Sequence, residues 1–207
     1  MEEFFKHFTP GLFRYDVINR LIMKYWFKSY LEIGVENGTC FSNVNCRYKT
    51  GVDPDPRSAA TVFMTSDEYF ESISDDVKFD IIFIDGLHRY EQCYRDIVNA
   101  TKHLNDGGFI LCHDMNPLDK MAAAPEQIDN LAWNGDVWRS FVKFRQDYRN
   151  YSSCLLYDLD WGVGVITKGI GQSIMVDVDK LTFEDWQNSK QYLMNCMKTE
   201  DFLRLFC

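Results

Sequence analysis

Apolar positions recur along the chain in two alternating rhythms. In LFRYDVINRLIMKYWFKSY, Val17, Ile18, Leu21, Ile22, Tyr25 and Trp26 stand at helical spacing on one face. YLEIGV follows, short and β-rich up to its glycine, and predicts a first buried strand. TGVDPDP predicts a second strand stopped by two prolines, which lack a ladder donor. TVFMT predicts a third strand, and SDEYFESI a short helix with Ser66 as N-cap. FDIIFID is an unbroken apolar run of strand length, the pattern of a parallel strand buried on both faces. RYEQCYRDIVNATKHL places Tyr90, Cys93, Ile97, Thr101 and Leu104 at helical spacing, and the glycines of NDGG are expected to stop that helix. GFILCHD is the next buried strand. Two βα units in succession predict a parallel sheet with crossover helices.

The pattern weakens from Met115 to Asn134, where Pro117 and Pro125 stand, and predicts a long loop. VWRSFVKFRQDY then reads as a helix. SCLLYDLDWGVGVITKG alternates in two halves around Asp160, as an antiparallel hairpin does. TFEDWQNSKQYLMNCM opens with Thr182 and Asp185 at capping-box spacing and predicts a C-terminal helix.

Composition narrows the classes. The 207 residues suit one domain, expected as residues 1–29 (an N-terminal helical segment), 30–168 (the core) and 169–207 (a C-terminal helical extension). No apolar run approaches the roughly 18 residues that span a membrane. The start, MEEFFKHF, has no basic or apolar signal region. A net charge of −9 argues against nucleic acid, whose binding rests on Lys and Arg releasing counterions. The seven cysteines are odd in number and form no C-x-x-C, as expected of free thiols in a reducing cytoplasm. They read as small buried hydrophobes, with Cys112 facing away from His113 across its strand. His7 and His103 have no chemical context and are expected at the surface.

Chemistry concentrates at strand ends. LEIGVENGTC carries Glu32, Gly34 and Gly38, a glycine turn that lets the backbone approach a ligand. Its spacing is G-x-x-x-G, not the dinucleotide G-x-G-x-x-G. Asp53 ends the next strand, placed to accept from ribose hydroxyls. An acidic turn would repel a pyrophosphate but suits a sulfonium and an ammonium. That favours S-adenosylmethionine over NAD. Alone, each feature reads more readily as a structural turn or a strand-ending Asp; together, at this spacing and before two βα units, they favour a cofactor site.

The chain resembles the class I S-adenosylmethionine-dependent methyltransferases, in particular the small group with the sugar and macrolide-sugar O-methyltransferases. LEIGVENGTC, GVDPDP, FDIIFIDGLHRYEQ and LNDGGFILCHD carry the likeness, which runs from about Tyr30 to Lys168. The resemblance implies a Rossmann-like α/β fold: a seven-stranded, mostly parallel sheet in order 3-2-1-4-5-7-6, strand 7 antiparallel, flanked by helices. It places Glu32, Gly34, Asn37, Gly38 and Thr39 in the cofactor loop and Asp53 on the ribose, with Pro54 beside it. Ser66 and Asp67 fall at the adenine end, and Asp85 near the methionine part. Cys40 or its neighbour stands where the commonest form of this loop often has Ser.

Asp85, His88, His113 and Asp114 form a second constellation at the same sheet edge. A hydroxyl must lose its proton to attack a sulfonium methyl, and a His can take it at neutral pH. The resemblance favours His88 as that base, with His113 the rival. Asp85 and Asp114 could hold Mg²⁺, a hard ion that prefers oxygen, although His113 stands where metal-dependent relatives often have an acid. Trp133, Asn134, Asp136 and Trp138 suit either a sugar or a packed helix start capped by Asn134 or Asp136; packing is favoured for Trp138. The leading reading is an O-methyltransferase acting on a small-molecule or glycan acceptor, without nucleic acid or membrane, with a homo-oligomer left open. The alternatives are a silent cofactor-binding protein of the same fold and, disfavoured by the missing fingerprint, an NAD-dependent oxidoreductase.

Overall fold

The structure is a computed structural model that describes residues 11–129 and 131–207. The signal-region reading of MEEFFKHF and the surface reading of His7 lie outside the described residues. Helix α1 (Arg14–Tyr25) buries Val17, Ile18, Leu21 and Ile22 and ends where Trp26 turns left-handed at φ 57°. Its apolar face covers one side of a sheet.

That sheet has seven strands in the order β2-β1-β3-β4-β6-β5-β7. They are β1 (Ser29–Ile33), β2 (Tyr48–Val52), β3 (Phe79–Ile84), β4 (Leu104–Cys112), β5 (Tyr151–Leu156), β6 (Val163–Lys168) and β7 (Cys196–Met197). β6 runs antiparallel to both β4 and β5, while the remaining pairs are parallel. This is the expected topology with one exchange. The TVFMT strand shrinks to a single bridge, Val62 to Val52, because Pro54 and Pro56 turn the chain away after β2. With that bridge counted as an edge, the order is 3-2-1-4-5-7-6, and the short β7 is an addition.

The central strands are buried on both faces, as their unbroken apolar runs require. Leu31, Ile33, Ile82, Ile84, Ile110 and Cys112 share one core with α3 (Ser66–Ser72), α4 (Tyr90–Lys102), α5 (Trp138–Asp147) and α6 (Phe183–Met194). Tyr30, Ile81, Phe83, Phe109 and Leu111 share the other with α1, α2 (Thr39–Asn43) and α7 (Thr199–Phe206). Among the described residues no helix is long and apolar enough to cross a membrane.

Four local expectations change. Thr65, not Ser66, caps α3, because it completes a box with Glu68. Helix α4 stops at His103, and NDGG lies inside β4, where Phe79–Leu104 and Ile81–Phe109 pairings enclose a bulge at Gly107 (φ 78°). His103 is buried, not at the surface: its Nδ1 donates to the Val77 carbonyl at 2.8 Å and its ring stacks on Phe70. Asp136 caps α4 rather than α5, accepting the Tyr90 N–H at 2.8 Å. The Thr182–Asp185 box opens α6 as expected.

Trp138 is a packing residue. Its ring lies 5.2 Å from Trp186, which is fully buried between α5 and Phe183. Trp186→Ala should cost about 3–5 kcal/mol in a urea unfolding curve, the usual toll of a buried large-to-small change. A loss under about 1 kcal/mol would show that α6 is not part of the cooperative core.

Candidate active site

The sheet register builds the site. Ile33 pairs with both Val52 and Ile84, and Ile84 pairs with Cys112. The next residue on each strand therefore emerges at one level: Gly34, Asp53, Asp85 and His113. The ladder continues into them, since Gly34 N–H donates to Val52, Asp85 N–H to Ile33 and His113 N–H to Ile84 at 2.8–2.9 Å. Gly34 has φ 82°, and a Cβ there would stand 2.0 Å from the Asp85 carbonyl oxygen. Only glycine permits that approach.

A cleft of about 770 Å³ opens over this edge. Its floor at the β1–β2 end is the loop Gly34–Thr39, with Asp53, Pro54, Thr65, Ser66 and Gln92 around it. Asp53 Oδ2 accepts the N–H groups of Val35 and Glu36 at 3.0 and 2.9 Å, and Oδ1 accepts that of Asp55 at 2.8 Å. A carboxylate has about four acceptor sites, so Oδ1 keeps capacity for a ligand hydroxyl. Asp53 thus shapes the loop as well as facing the cleft. Arg14 is the one Lys or Arg among the lining residues, which disfavours a pyrophosphate. Glu32 is buried beneath the loop, where the Tyr30 hydroxyl donates to it. Burial pushes its carboxyl up to about 7, against the opposing Tyr30 bond.

At the β3–β4 end, four side chains converge. His113 Nδ1 lies 3.2 Å from Asp85 Oδ1 and 3.1 Å from Asp114 Oδ2. His88 Nε2 lies 3.1 Å from the same Asp114 oxygen and 3.7 Å from Asp85 Oδ1. The other His88 nitrogen, Nδ1, donates to the Trp133 carbonyl at 3.0 Å. Asn134 Nδ2 donates to Asp114 Oδ1 at 2.6 Å, while Asn134 Oδ1 is buried without a partner. Asp114 itself sits at φ 62°, a left-handed conformation held by these contacts. Gly135 lets the returning loop seat His88, since a Cβ would meet the His88 carbonyl at 2.0 Å.

Two groups at this end come from distant chain segments. Arg14 Nη1 bonds Asp160 Oδ2 at 2.7 Å, and Nη2 lies 3.6 Å from Asp85. Asp160, in the β5–β6 turn, is also 3.8 Å from His113 Nε2. Burial opposes charge throughout, yet pairing prevails. Burial alone would raise Asp85, but His113, His88 and Arg14 hold it well below the usual carboxylate range. Burial alone would lower both imidazoles. The Asp114 and Asp85 charges raise His113 strongly, and the Asp85 bond with the Asp114 charge raises His88. Burial also works against Asp160, which His113 and Arg14 bring down to about 2.

The cleft gathers Glu32, Gly34, Asn37, Thr39, Asp53, Pro54, Ser66, Asp85, His88, His113 and Asp114. Gly38 and Asp67 stand outside its lining: Gly38 (φ 78°) precedes α2 against Ala59, and Asp67 pairs with Arg95 and Gln92. Trp133 lines the cleft, its ring 5.2 Å from His88. Cys112 faces the opposite core, and all seven cysteines are free. Arg14, Gln92, Asp160 and Trp161 escaped the sequence reading. The only signal for Asp160 was its place at the centre of the hairpin.

Comparison with known proteins agrees with this geometry. Residues 31–115 match a family described as a methyltransferase domain. No curated protein matches the chain. An O-methyltransferase from Bacillus cereus in complex with SAH is similar at 14% identity and TM-score 0.58, covering 77% of this chain and 82% of that one. The O-methyltransferase TomG from Streptomyces achromogenes, in complex with SAM, is similar at 10% identity and TM-score 0.55, with the same coverage. The SAH-bound methyltransferase PaMTH1 of Podospora anserina is similar at 16% identity and TM-score 0.51, covering 80% and 85%. These likenesses show a shared fold. The chain has the fold of these methyltransferases, and residues 31–115 match the methyltransferase-domain family.

The cleft's glycine loop, the Asp53 carboxylate at its floor and, among the described residues, the lack of a phosphate cradle fit S-adenosylmethionine. Asp53→Ala should weaken S-adenosylmethionine binding by roughly 1–3 kcal/mol, the worth of charge-assisted hydrogen bonds. Calorimetry reads this directly, and unchanged affinity would remove Asp53 from the ribose.

Proposed function

We propose that the protein is an O-methyltransferase that moves the methyl of S-adenosylmethionine to a hydroxyl of a sugar, glycan or similar polyhydroxylated acceptor. The observation that carries this reading is the placement of His88, Asp85, His113 and Asp114 beside the cofactor half of one cleft. Methyl transfer is an in-line displacement at carbon. The acceptor oxygen forms the new C–O bond, the sulfonium C–S bond breaks, and S-adenosylhomocysteine leaves. The hydroxyl proton must go to a base, and the His88–Asp114 pair is the proton-accepting unit. Its imidazole is anchored by Trp133 on one nitrogen and faces Asp114 with the other. His113, fully enclosed between Asp85, Asp114 and Asp160, holds the two carboxylates in place. Asp85 supplies negative charge suited to the sulfonium and the cofactor's ammonium.

The acceptor assignment rests on the cleft's other wall. Trp133 and Trp161 line it, and aromatic faces suit the C–H faces of a sugar. Free thiols throughout the described chain suit a reducing cytoplasm.

Incubation with methyl-labelled cofactor and a panel of methyl-free sugars, glycans and phenols, read by mass spectrometry, tests the acceptor. Label on a sugar hydroxyl supports the reading; label confined to phenols overturns the acceptor class, and label on none favours a silent protein. For the mechanism, His88→Ala should lower kcat about 10²–10⁴-fold, the worth of a positioned proton acceptor. Cofactor affinity should stay within about twofold, since the imidazole faces the acceptor half. Near-full kcat in this variant, with His113→Ala inactive, would move the base to His113.

A further inference from the structure

Arg14 is the one Lys or Arg among the residues that line the cleft, and α1 delivers it there from outside the sheet edge. Its side chain is 20% exposed, so a molecule in the cleft can reach it. A guanidinium has five N–H donors in a fixed planar fork. Asp160 Oδ2 accepts from Nη1 at 2.7 Å, and His113 Nε2 stands 3.5 Å from that same nitrogen. The opposite edge, formed by Nε and Nη2, is placed differently. Nε is buried without a hydrogen-bond partner. Nη2 has Asp85 Oδ2 at 3.6 Å, an ion pair too long to be a hydrogen bond. That edge is the one with which arginine takes a carboxylate through two parallel bonds. A buried donor left without an acceptor is costly, and a ligand that brings the acceptor removes the cost.

The position of Arg14 along the sheet edge narrows the ligand group. Burial pushes the Glu32 carboxyl and the Cys40 thiol up, and the Arg14 charge draws both back, so Arg14 acts on the glycine-loop end. It also faces Asp85 and Asp160 across the cleft. Arg14 therefore stands between the loop Gly34–Thr39 and the β3–β4 cluster, whereas Asp53 lies on the far side of that loop, at the end of β2. S-adenosylmethionine brings three charged groups: a sulfonium, an ammonium and a carboxylate. The first two are cations and suit an edge rich in acids. The carboxylate would be repelled by Asp85 and Asp160 unless a cation met it.

We infer that the Nε–Nη2 edge of Arg14 receives the carboxylate of the cofactor's amino-acid group, with Asp160 holding the guanidinium in place through Nη1. The inference rests on the S-adenosylmethionine reading and adds the residue that recognises the acidic end of that molecule. Arg14 is then a specificity residue for a ligand that carries both an amine and a carboxylate, and α1 is the element that supplies it.

The test is calorimetric binding, to the full chain, of two ligands that differ only in the carboxylate. They are S-adenosylhomocysteine and its decarboxylated analogue, which keeps the nucleoside, the thioether and the amine. The unsubstituted protein should bind S-adenosylhomocysteine at least about tenfold more tightly, the worth of a hydrogen bond to a charged group. Arg14→Gln should lose that preference: S-adenosylhomocysteine weakens by about the same factor, and the analogue stays within about twofold. Arg14→Lys keeps the charge without the fork and should show a reduced preference, which answers the question if the Gln variant does not fold. Equal affinities in the unsubstituted protein, an undiminished preference in either variant, or equal weakening of both ligands would overturn the inference. The last is the result expected of a guanidinium that only braces Asp160 and Asp85. An acidic acceptor is the other source of a carboxylate. Glucuronate and glucose titrated into the protein saturated with S-adenosylhomocysteine separate the two sources, and a preference for glucuronate that Arg14→Gln removes would overturn the cofactor assignment. Binding of both cofactor analogues with equal affinity fails this inference alone; binding of neither to the unsubstituted protein fails the methyl-transfer reading.

Discussion

The constraint on which the rest depends is the common register of four strand ends. Ile33, Val52, Ile84 and Cys112 finish their ladders at one level. Hydrophobic burial on both faces locks that register, because a slip of one residue would turn each strand's core side chains to the wrong face. Everything chemical follows from what comes next in the chain. Gly34 opens room for the loop, Asp53 fastens it, and Asp85 and His113 stand at the other end of the cleft. The apolar core beneath the cleft is thus what sets the distances of the site.

Around this edge the protein accepts local strain and buried charge. Asp114, Asp160 and Trp161 all hold positive φ angles, as does Glu36 in the cofactor loop. Such conformations persist where surrounding contacts over-determine them. Arg14 contributes to that from α1, clasping Asp160 and approaching Asp85. A guanidinium in this position partly offsets a group of carboxylates that would otherwise repel one another. The N-terminal helix is accordingly part of the site and not merely a cover for the sheet.

Much of this was legible in the chain. FDIIFID and GFILCHD announced central parallel strands, and the residues that end them line the cleft. Glycine spacing and Asp53 favoured a nucleoside with a sulfonium over a dinucleotide, and the cleft they line has Arg14 as its one Lys or Arg. What escaped notice depends on contacts between distant segments. Arg14 looked like one more polar position on an amphipathic helix, and nothing local marks its reach to Asp160, 146 positions away. His103 carried no motif, but the Val77 carbonyl and the Phe70 ring bury it. NDGG is a good helix stop by composition, yet the ladder beside Phe79 claims it as a bulge. Asp136 was assigned to the helix that follows it, whereas folding brings it to the start of α4.

The central claim is that the aligned strand ends hold S-adenosylmethionine while the His–Asp cluster stands ready for the acceptor. Amide hydrogen exchange, with and without the cofactor, tests it most directly. Added cofactor should slow exchange in segments 32–39, 53–66 and 85–92, which frame the cleft, and leave β5 and α6 unchanged. Exchange that is unaltered in those three segments at saturating cofactor would contradict the account.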